Sequence, residues 1–299
     1  MSSCSKPSAE LRRCRPLLGT LVEVRATAPT SAQAERALHA AFAAVARVQE
    51  LMSFHDPASD LSRLNRAAAR RAVRVHAWTH LVLRRAQKLH AATGGLFDIA
   101  SAPALIRGGW LPRAGVPLPR GAATAADILL LSGNRLRFRR PLLVDLGGIA
   151  KGFAVDQAVA ALCGAGATAG TVNAGGDLRV FGSLPEAVHV RLPESPGSLV
   201  PLVAVRDAAI ATSAHYFAQR RVNGAVRSPI FHPLSRQLAG ETRSVTVQAA
   251  ECWLADALCK VVWLAGAAAL PLLHAHGARA WVFDAGAGPS RPKEVNHAA

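Results

Sequence analysis

The order of the predicted secondary-structure elements is the feature that most limits the fold of this chain. Strand and helix patterns alternate irregularly at first, and in the second half strand patterns follow one another with few helices between them. A doubly wound parallel sheet requires a helical crossover after nearly every strand. We therefore predict an α+β fold with mixed or antiparallel sheets and packed helices.

Hydrophobic periodicity locates the elements. Residues 31–52 carry apolar side chains at helical spacing, with Thr30 or Ser31 as the N-cap, and a second helix over residues 78–93 stops at Gly94-Gly95. Further helices are predicted at 150–163 and 252–264, and a long loop at 106–121. Strands are predicted at 21–26, 128–131, 135–138, 142–146, 171–172, 178–181, 188–192, 199–205, 210–212, 244–247 and 280–283.

We expect a single domain over residues 17–285, preceded by an N-terminal extension (1–16) and followed by a disordered tail (286–299). The 51% hydrophobic content is too high for general disorder. No uninterrupted apolar run approaches the roughly 18 residues that span a bilayer, which predicts no integral membrane segment.

The formal net charge of +16 raises the question of a nucleic-acid partner. Nearly all of the positive charge is arginine scattered along the chain, and a single tyrosine leaves little aromatic surface for base stacking. We therefore interpret the charge as a solvated surface and predict no nucleic-acid binding.

The cysteines and the N-terminus indicate the compartment. Five cysteines show no CxxC pair, and no apolar signal core precedes Cys4. This pattern favours a reducing compartment, and we predict a cytoplasmic protein.

Four segments combine glycine with acidic or hydroxyl residues at the ends of apolar runs. The strongest is 144–156, which reads as a strand, a glycine turn and a helix start, where free amides and Lys151 attract phosphate. Segment 173–177 is by itself best explained as a hairpin. The other two segments are 93–98 and 209–213. In addition, Asp256 lies on an otherwise apolar helix face and needs a partner for its charge, for which a divalent cation is one candidate.

Taken in this order, together with Leu-Leu-Gly-Thr at 17–20 and the segment 52–65, these motifs resemble the ApbE family of FAD:protein FMN transferases. The resemblance extends over about residues 17–266. It implies binding of FAD with Mg2+ and transfer of FMN to a threonine or serine hydroxyl of an acceptor flavoprotein, with release of AMP.

The resemblance also assigns residues. Asp256 takes the position of the metal-binding and catalytic aspartate, and the Ala150 carbonyl is a second candidate metal ligand. Ser59 and Asn65 order the flavin-binding loop in this assignment. The full set of expected FAD-contacting positions is Leu18, Ser59, Asn65, Phe97, Asp98, Gly147, Ala150, Lys151, Thr212, Ser213 and Ile230.

Two departures from the family pattern affect the chemistry. Lys260 stands where the family has a metal-binding threonine, and a protonated lysine does not ligate a hard cation. Either Lys260 replaces the metal as a point charge, or Cys259 or another group supplies the ligand. Pro229 stands at the position of the family's proposed base, so His232 and His215 are candidate replacement bases.

Two other functions remain open at this stage. An impaired metal site at Lys260 makes the chain a flavin carrier or sensor that retains FAD without transferring it. Alternatively, it is a Mg2+-dependent hydrolase that splits FAD into FMN and AMP without a protein acceptor.

Overall fold

The structure is a computed structural model that describes residues 8–113, 115–182, 185–193, 195, 197–214, 218–222, 224–240, 243–284 and 293–295. The helices are α1 (Ser31–Met52), α2 (Asp60–Ala67), α3 (Ala77–Ala92), α4 (Ala102–Arg107), α5 (Ala150–Gly164), α6 (Cys252–Ala265) and α7 (Leu270–Ala275), with short 3-10 turns at Ala125–Asp127 and Gly266–Ala269. The strands up to the centre of the chain are β1 (Ala9–Leu17), β2 (Thr20–Ala28), β3 (Val73–Arg74), β4 (Ile128–Leu131), β5 (Arg135–Phe138), β6 (Ala169–Ala174), β7 (Asp177–Phe181), β8 (Glu186–Arg191) and β9 (Leu199–Val205). They are followed by β10 (Ala209–Ala214), β11 (Arg220–Val222), β12 (Ala225–Arg227), β13 (Phe231–His232), β14 (Gln237–Leu238), β15 (Arg243–Ala249), β16 (Arg279–Asp284) and β17 (Lys293–Glu294).

An eight-stranded sheet organises the molecule, in the order β1-β2-β6-β7-β10-β15-β16-β17 with every described pair antiparallel. Helix α5 packs against both α1 and α6, and the three helices pack against this sheet and form the main core. The β8–β9 hairpin covers a smaller apolar cluster that includes Val180, Ile210 and Trp281. The predicted α+β class is confirmed.

Local signals explain the helix boundaries. The Thr30 hydroxyl accepts a hydrogen bond from the Gln33 amide (3.2 Å), as expected of an N-cap. Gly94 and Gly95 adopt positive φ angles of 57° and 88°, which end α3 at little steric cost. Both boundaries agree with the sequence prediction.

Two predicted boundaries and one predicted strand need correction. Residues 1–16 were expected to be an extension, but Ala9–Leu17 form strand β1, which pairs with β2 along its whole length. An edge strand tolerates charge, so its arginines hid the strand pattern. Within the predicted tail, Lys293–Glu294 pair with β16. Residues 142–146 form no strand: the Asn65 side chain pairs with the Val144 backbone, and the Asp145 amide donates to the carbonyl of Ile99, which lies in a loop.

The segment Cys252–Ala275, with a mean hydropathy of 1.6, is long and apolar enough to cross a membrane by length and composition alone. In the structure α6 packs against α5, β10 and β15, and most of its residues are buried. Burial inside the protein core therefore accounts for its apolar character.

Candidate functional site

A cavity of about 770 Å³ opens between α1, the N-terminus of α5, the end of β10 and α6. Its volume falls in the range of about 300–1,000 Å³ that is typical of cofactor sites. Most of the lining is apolar, and includes Leu18, Met52, Phe97, Trp110 and Ile230. Charged groups are concentrated on one side, near the start of α5.

The glycine turn that precedes α5 is fixed by Asn65. The Asn65 side chain donates to the Val144 carbonyl (2.9 Å) and accepts from the Val144 amide (2.8 Å), so that it replaces the strand neighbour that this segment lacks. The chain then turns through Gly147 and Gly148, both of which line the cavity, and enters α5 without a side-chain cap. The amides of Ile149 and Ala150 donate to the Leu146 carbonyl, and the Gly152 amide donates to Asp256. Among the described residues of this helix start, the amides of Gly148 and Lys151 remain to bind an anion.

Two lysines lie beside this turn, and each is paired with a buried carboxylate. Lys151 Nζ is 2.7 Å from Asp177 Oδ2, and Lys260 Nζ is paired with Asp256 Oδ1 and donates to the Asp256 carbonyl (2.9 Å). The lysine side chains are 30% and 25% exposed and line the cavity, whereas the two aspartates are almost fully buried. The ammonium groups are thereby held at the cavity wall.

Electrostatics keeps both lysines charged. Burial alone lowers the pKa of each lysine, but the carboxylates of Asp177 and Asp256 outweigh it and raise the pKa of Lys151 and Lys260. Burial raises the pKa of Asp177, although Lys151 opposes that shift. The cavity therefore has two fixed positive charges at neutral pH.

The residues at Asp256 do not fit a divalent cation. Asp256 Oδ1 is paired with Lys260, and Oδ2 accepts a hydrogen bond from the Gly152 amide (3.1 Å). The Cys259 thiol donates to the Ala211 carbonyl (3.2 Å), away from the cavity, so it does not supply the missing ligand. Within the described ranges, no group of three or more His, Cys, Asp or Glu side chains forms a metal-binding cluster. Mg2+ favours several oxygen ligands, and this arrangement offers an ammonium group at the same place.

Most of the predicted FAD-contacting residues do line the cavity. These are Leu18, Phe97, Asp98, Gly147, Ala150, Lys151, Thr212, Ser213 and Ile230, together with Lys260. The main chain holds Leu18 in a positive-φ turn (56°), with its amide bonded to Gln49 Oε1 (2.5 Å). The structure thus brings together positions that lie near opposite ends of the sequence.

Four predicted site residues do not line the cavity. Ser59 caps α2, where its hydroxyl accepts a hydrogen bond from the Ser62 amide (3.0 Å), and Asn65 binds the Val144 backbone. Both residues therefore stabilise the backbone near the cavity and do not line it. Asp256 lies behind Lys260, and His232 is in β13, where its Nδ1 accepts from the Ser235 amide (3.3 Å). His215 lies outside the described residues.

Asp98 lines the cavity but uses its carboxylate for structure. Asp98 Oδ1 accepts from the amides of Ala100 (2.8 Å) and Ala125 (3.0 Å), and Oδ2 is 3.6 Å from His90 Nδ1. Burial raises the pKa of Asp98 despite these donors. This carboxylate therefore anchors the loop that carries Phe97.

Among the cavity-lining residues that the sequence motifs do not assign to the site are Asp145, His55 and Trp110. Asp145 lies in the strand-and-glycine motif, so a signal for it was present. His55 follows α1 by three residues, and Trp110 lies in the predicted loop, where it donates to the Ala218 carbonyl (2.8 Å). His55 also lies in the family-like segment 52–65, so a signal for it was present as well, whereas Trp110 carries no local pattern that indicates a site.

Comparison with known proteins agrees with this geometry. The model of the ApbE family matches residues 18–282. The FAD:protein FMN transferase of Vibrio cholerae is 28% identical over 282 residues, covering 89% of this chain and 84% of that protein. The protein of the same name from Treponema pallidum is 26% identical over 292 residues, covering 86% and 79%. The solved structure of the flavin transferase ApbE from Vibrio cholerae superposes with a TM-score of 0.79 at 22% identity, covering 96% of this chain and 97% of that chain. The chain belongs to the ApbE family.

Proposed function

We propose that this protein is an FAD:protein FMN transferase, which moves FMN from FAD to a threonine or serine hydroxyl of an acceptor flavoprotein and releases AMP. Family membership and the activity named for its relatives support the reaction type. The observation that carries the proposal for this chain is the glycine turn flanked by Lys151 and Lys260 on the wall of a large apolar cavity.

The reaction is a substitution at one phosphorus atom. The acceptor oxygen forms a bond to the FMN phosphorus, and the bond from that phosphorus to the bridging oxygen of the diphosphate breaks. AMP leaves with the bridging oxygen and the electron pair, and the acceptor hydroxyl gives up its proton. Such a step depends mainly on positioning and on stabilising negative charge at the phosphate oxygens.

The residues of the cavity supply these two requirements. The backbone amides of Gly148 and Lys151 and the ammonium groups of Lys151 and Lys260 would bind the diphosphate oxygens. The apolar wall around Met52, Phe97 and Trp110 would bury aromatic parts of FAD. The diphosphate would then be held at the polar side of the cavity, where the acceptor hydroxyl must reach it.

His55 is the residue we assign as acceptor of the hydroxyl proton. Its imidazole is exposed at the edge of the cavity, close enough to Asp145 to influence its ionisation, and it is the only histidine of the described cavity lining. An imidazole is a suitable base near neutral pH. An exposed position suits a base whose substrate arrives on another protein.

The direct test is incubation of the purified protein with FAD and a panel of threonine-containing acceptor peptides, followed by mass spectrometry. We expect a peptide adduct with the mass of FMN less water, and one AMP for each adduct. AMP release without an adduct across the panel would favour the hydrolase, and FAD binding without AMP would favour the carrier.

A His55→Gln variant tests the assigned base. We expect its transfer rate to fall by roughly 100-fold or more while its FAD affinity is unchanged, because a general base acts on the transition state. His39→Gln, at an exposed histidine outside the cavity, is the matched control. A normal transfer rate in His55→Gln would remove His55 from the mechanism.

A further inference from the structure

We propose, on the basis of the proposed function, that the Lys260 ammonium takes the place of a divalent cation at the diphosphate, so that this chain binds FAD and transfers FMN without a metal ion. The bonds that form and break are those given above, and no further co-reactant is needed.

Lys260 lies at the glycine turn itself. It is one helical turn after Asp256 on α6, and its Cε would be 3.4 Å from a methyl group built on Gly148. Its side chain remains 25% exposed and forms part of the cavity wall. A diphosphate bound at the α5 N-terminus would therefore lie within reach of this ammonium.

The hydrogen bonds of Lys260 leave a donor for the ligand. Two contacts of Nζ go to Asp256, one to Oδ1 and one to its main-chain carbonyl. An ammonium has three donors, so the third is available for a phosphate oxygen. Because Asp256 already fixes the side chain, little conformational entropy remains to be lost when the ligand binds.

The same contacts exclude a metal ion from Asp256. Oδ1 is paired with the Lys260 ammonium, Oδ2 accepts from the Gly152 amide, and the residue is about 1% exposed. A divalent cation would have to displace the ammonium and would then be repelled by it and by Lys151 at short range. A tethered lysine and a bound cation are alternatives at this position.

The first test measures FAD affinity by calorimetry in EDTA and in MgCl2, and then AMP release under the same two conditions. For the wild type we expect both quantities to agree within about twofold between the two conditions. Loss of FAD binding or of AMP release in EDTA, with recovery in MgCl2, would overturn the inference.

The variants separate the charge from the fold. Lys260→Met alone leaves a buried, unpaired carboxylate, so the main variant is Lys260→Met/Asp256→Asn, in which the side-chain oxygen of the introduced asparagine still accepts from the Gly152 amide. We expect its FAD affinity to fall roughly 10- to 100-fold, since one charge-assisted hydrogen bond is lost. Lys88→Met, at an exposed lysine of α3 outside the cavity, is the matched control and should bind FAD normally. Wild-type affinity in the double variant would refute the role of Lys260.

A third variant, Lys260→Thr, restores an oxygen ligand next to Asp256. We expect it to bind Mn2+ in the absence of FAD, detected by electron paramagnetic resonance, whereas the wild type does not. A wild type that binds Mn2+ at this site, or a folded Lys260→Thr that does not, would contradict the exclusion argument. If no acceptor is ever flavinylated, the proposed transfer fails, but FAD affinity and Mn2+ binding still decide the role of Lys260.

Discussion

The contact between α5 and α6 gives the sharpest stability prediction, at Gly152. A methyl group built on this residue would lie 2.6 Å from the Cys252 carbonyl carbon and 2.8 Å from Trp253 Cα. Carbon atoms in proteins approach to about 3.5–4.0 Å, so α5 and α6 would have to separate by roughly 1 Å. The obstructing atoms are backbone at the start of α6, and no side chain is there to rotate away.

Two effects of Gly152→Ala oppose each other. Helix propensity favours alanine by up to about 1 kcal/mol. Overpacking typically costs about 1–3 kcal/mol, and contact with backbone places this site at the upper end. We therefore expect a net loss of about 2 kcal/mol, which corresponds to a fall in Tm of roughly 4–8 °C. FAD binding should weaken as well, because the Gly152 amide holds Asp256.

Thermal and urea unfolding measure this difference directly. The control is Gly164→Ala at the exposed end of the same helix, where a methyl group meets nothing within 4 Å. This variant should be unchanged or slightly stabilised. If Gly152→Ala is as stable as the wild type, close packing of α5 on α6 is not what requires glycine here.

Three further predictions concern polar groups at the cavity wall and in the core. Burial raises the pKa of Asp145, so its contribution to stability is present at acid pH and is lost as the pH rises through that pKa. Asp145→Asn should therefore match the stability of the wild type at acid pH and exceed it at neutral pH, and urea midpoints in the reverse order would contradict this. Asn65→Ala leaves the buried Val144 amide and carbonyl unpaired and should cost about 2–5 kcal/mol in urea unfolding, and a smaller loss would show that water replaces the side chain. Burial raises the pKa of Cys259 to about 12 and that of Cys252 well above its usual value, so iodoacetamide should leave both unlabelled in the folded protein and label both in urea, as peptide mass spectrometry would show.

Local patterns were sufficient for much of the fold. The bounds of α1 follow from its periodicity and its Thr30 cap, and the end of α3 follows from two glycines, because these signals act within a few residues. Strand β1 escaped prediction because an exposed edge strand needs no alternating apolar pattern. The apolar run at residues 142–146 predicts a strand because it has the same pattern whether a neighbouring strand or, as at Val144, a side chain bonds the backbone.

The candidate site divides in the same way. The glycine turn before α5 and the positions Lys151 and Lys260 were recognisable from the ordered motifs. The sequence did not predict that His55 and Trp110 line the same cavity, because this depends on how separate loops meet. The placement of His232 outside the lining likewise depends on the β13–β14 hairpin.

The sequence by itself determined the α+β class, the family pattern and the presence of a lysine at position 260. Only the tertiary structure decided which groups that lysine contacts, since the sequence is compatible both with a damaged metal site and with a replacement cation at this position. The decision depends on distances across elements far apart in the chain: Lys260 is paired with Asp256, Gly152 holds the second carboxylate oxygen, and the glycine turn lies beside the ammonium. Ion pairing and exclusion act over a few ångströms in space, and spacing along the chain does not fix those separations.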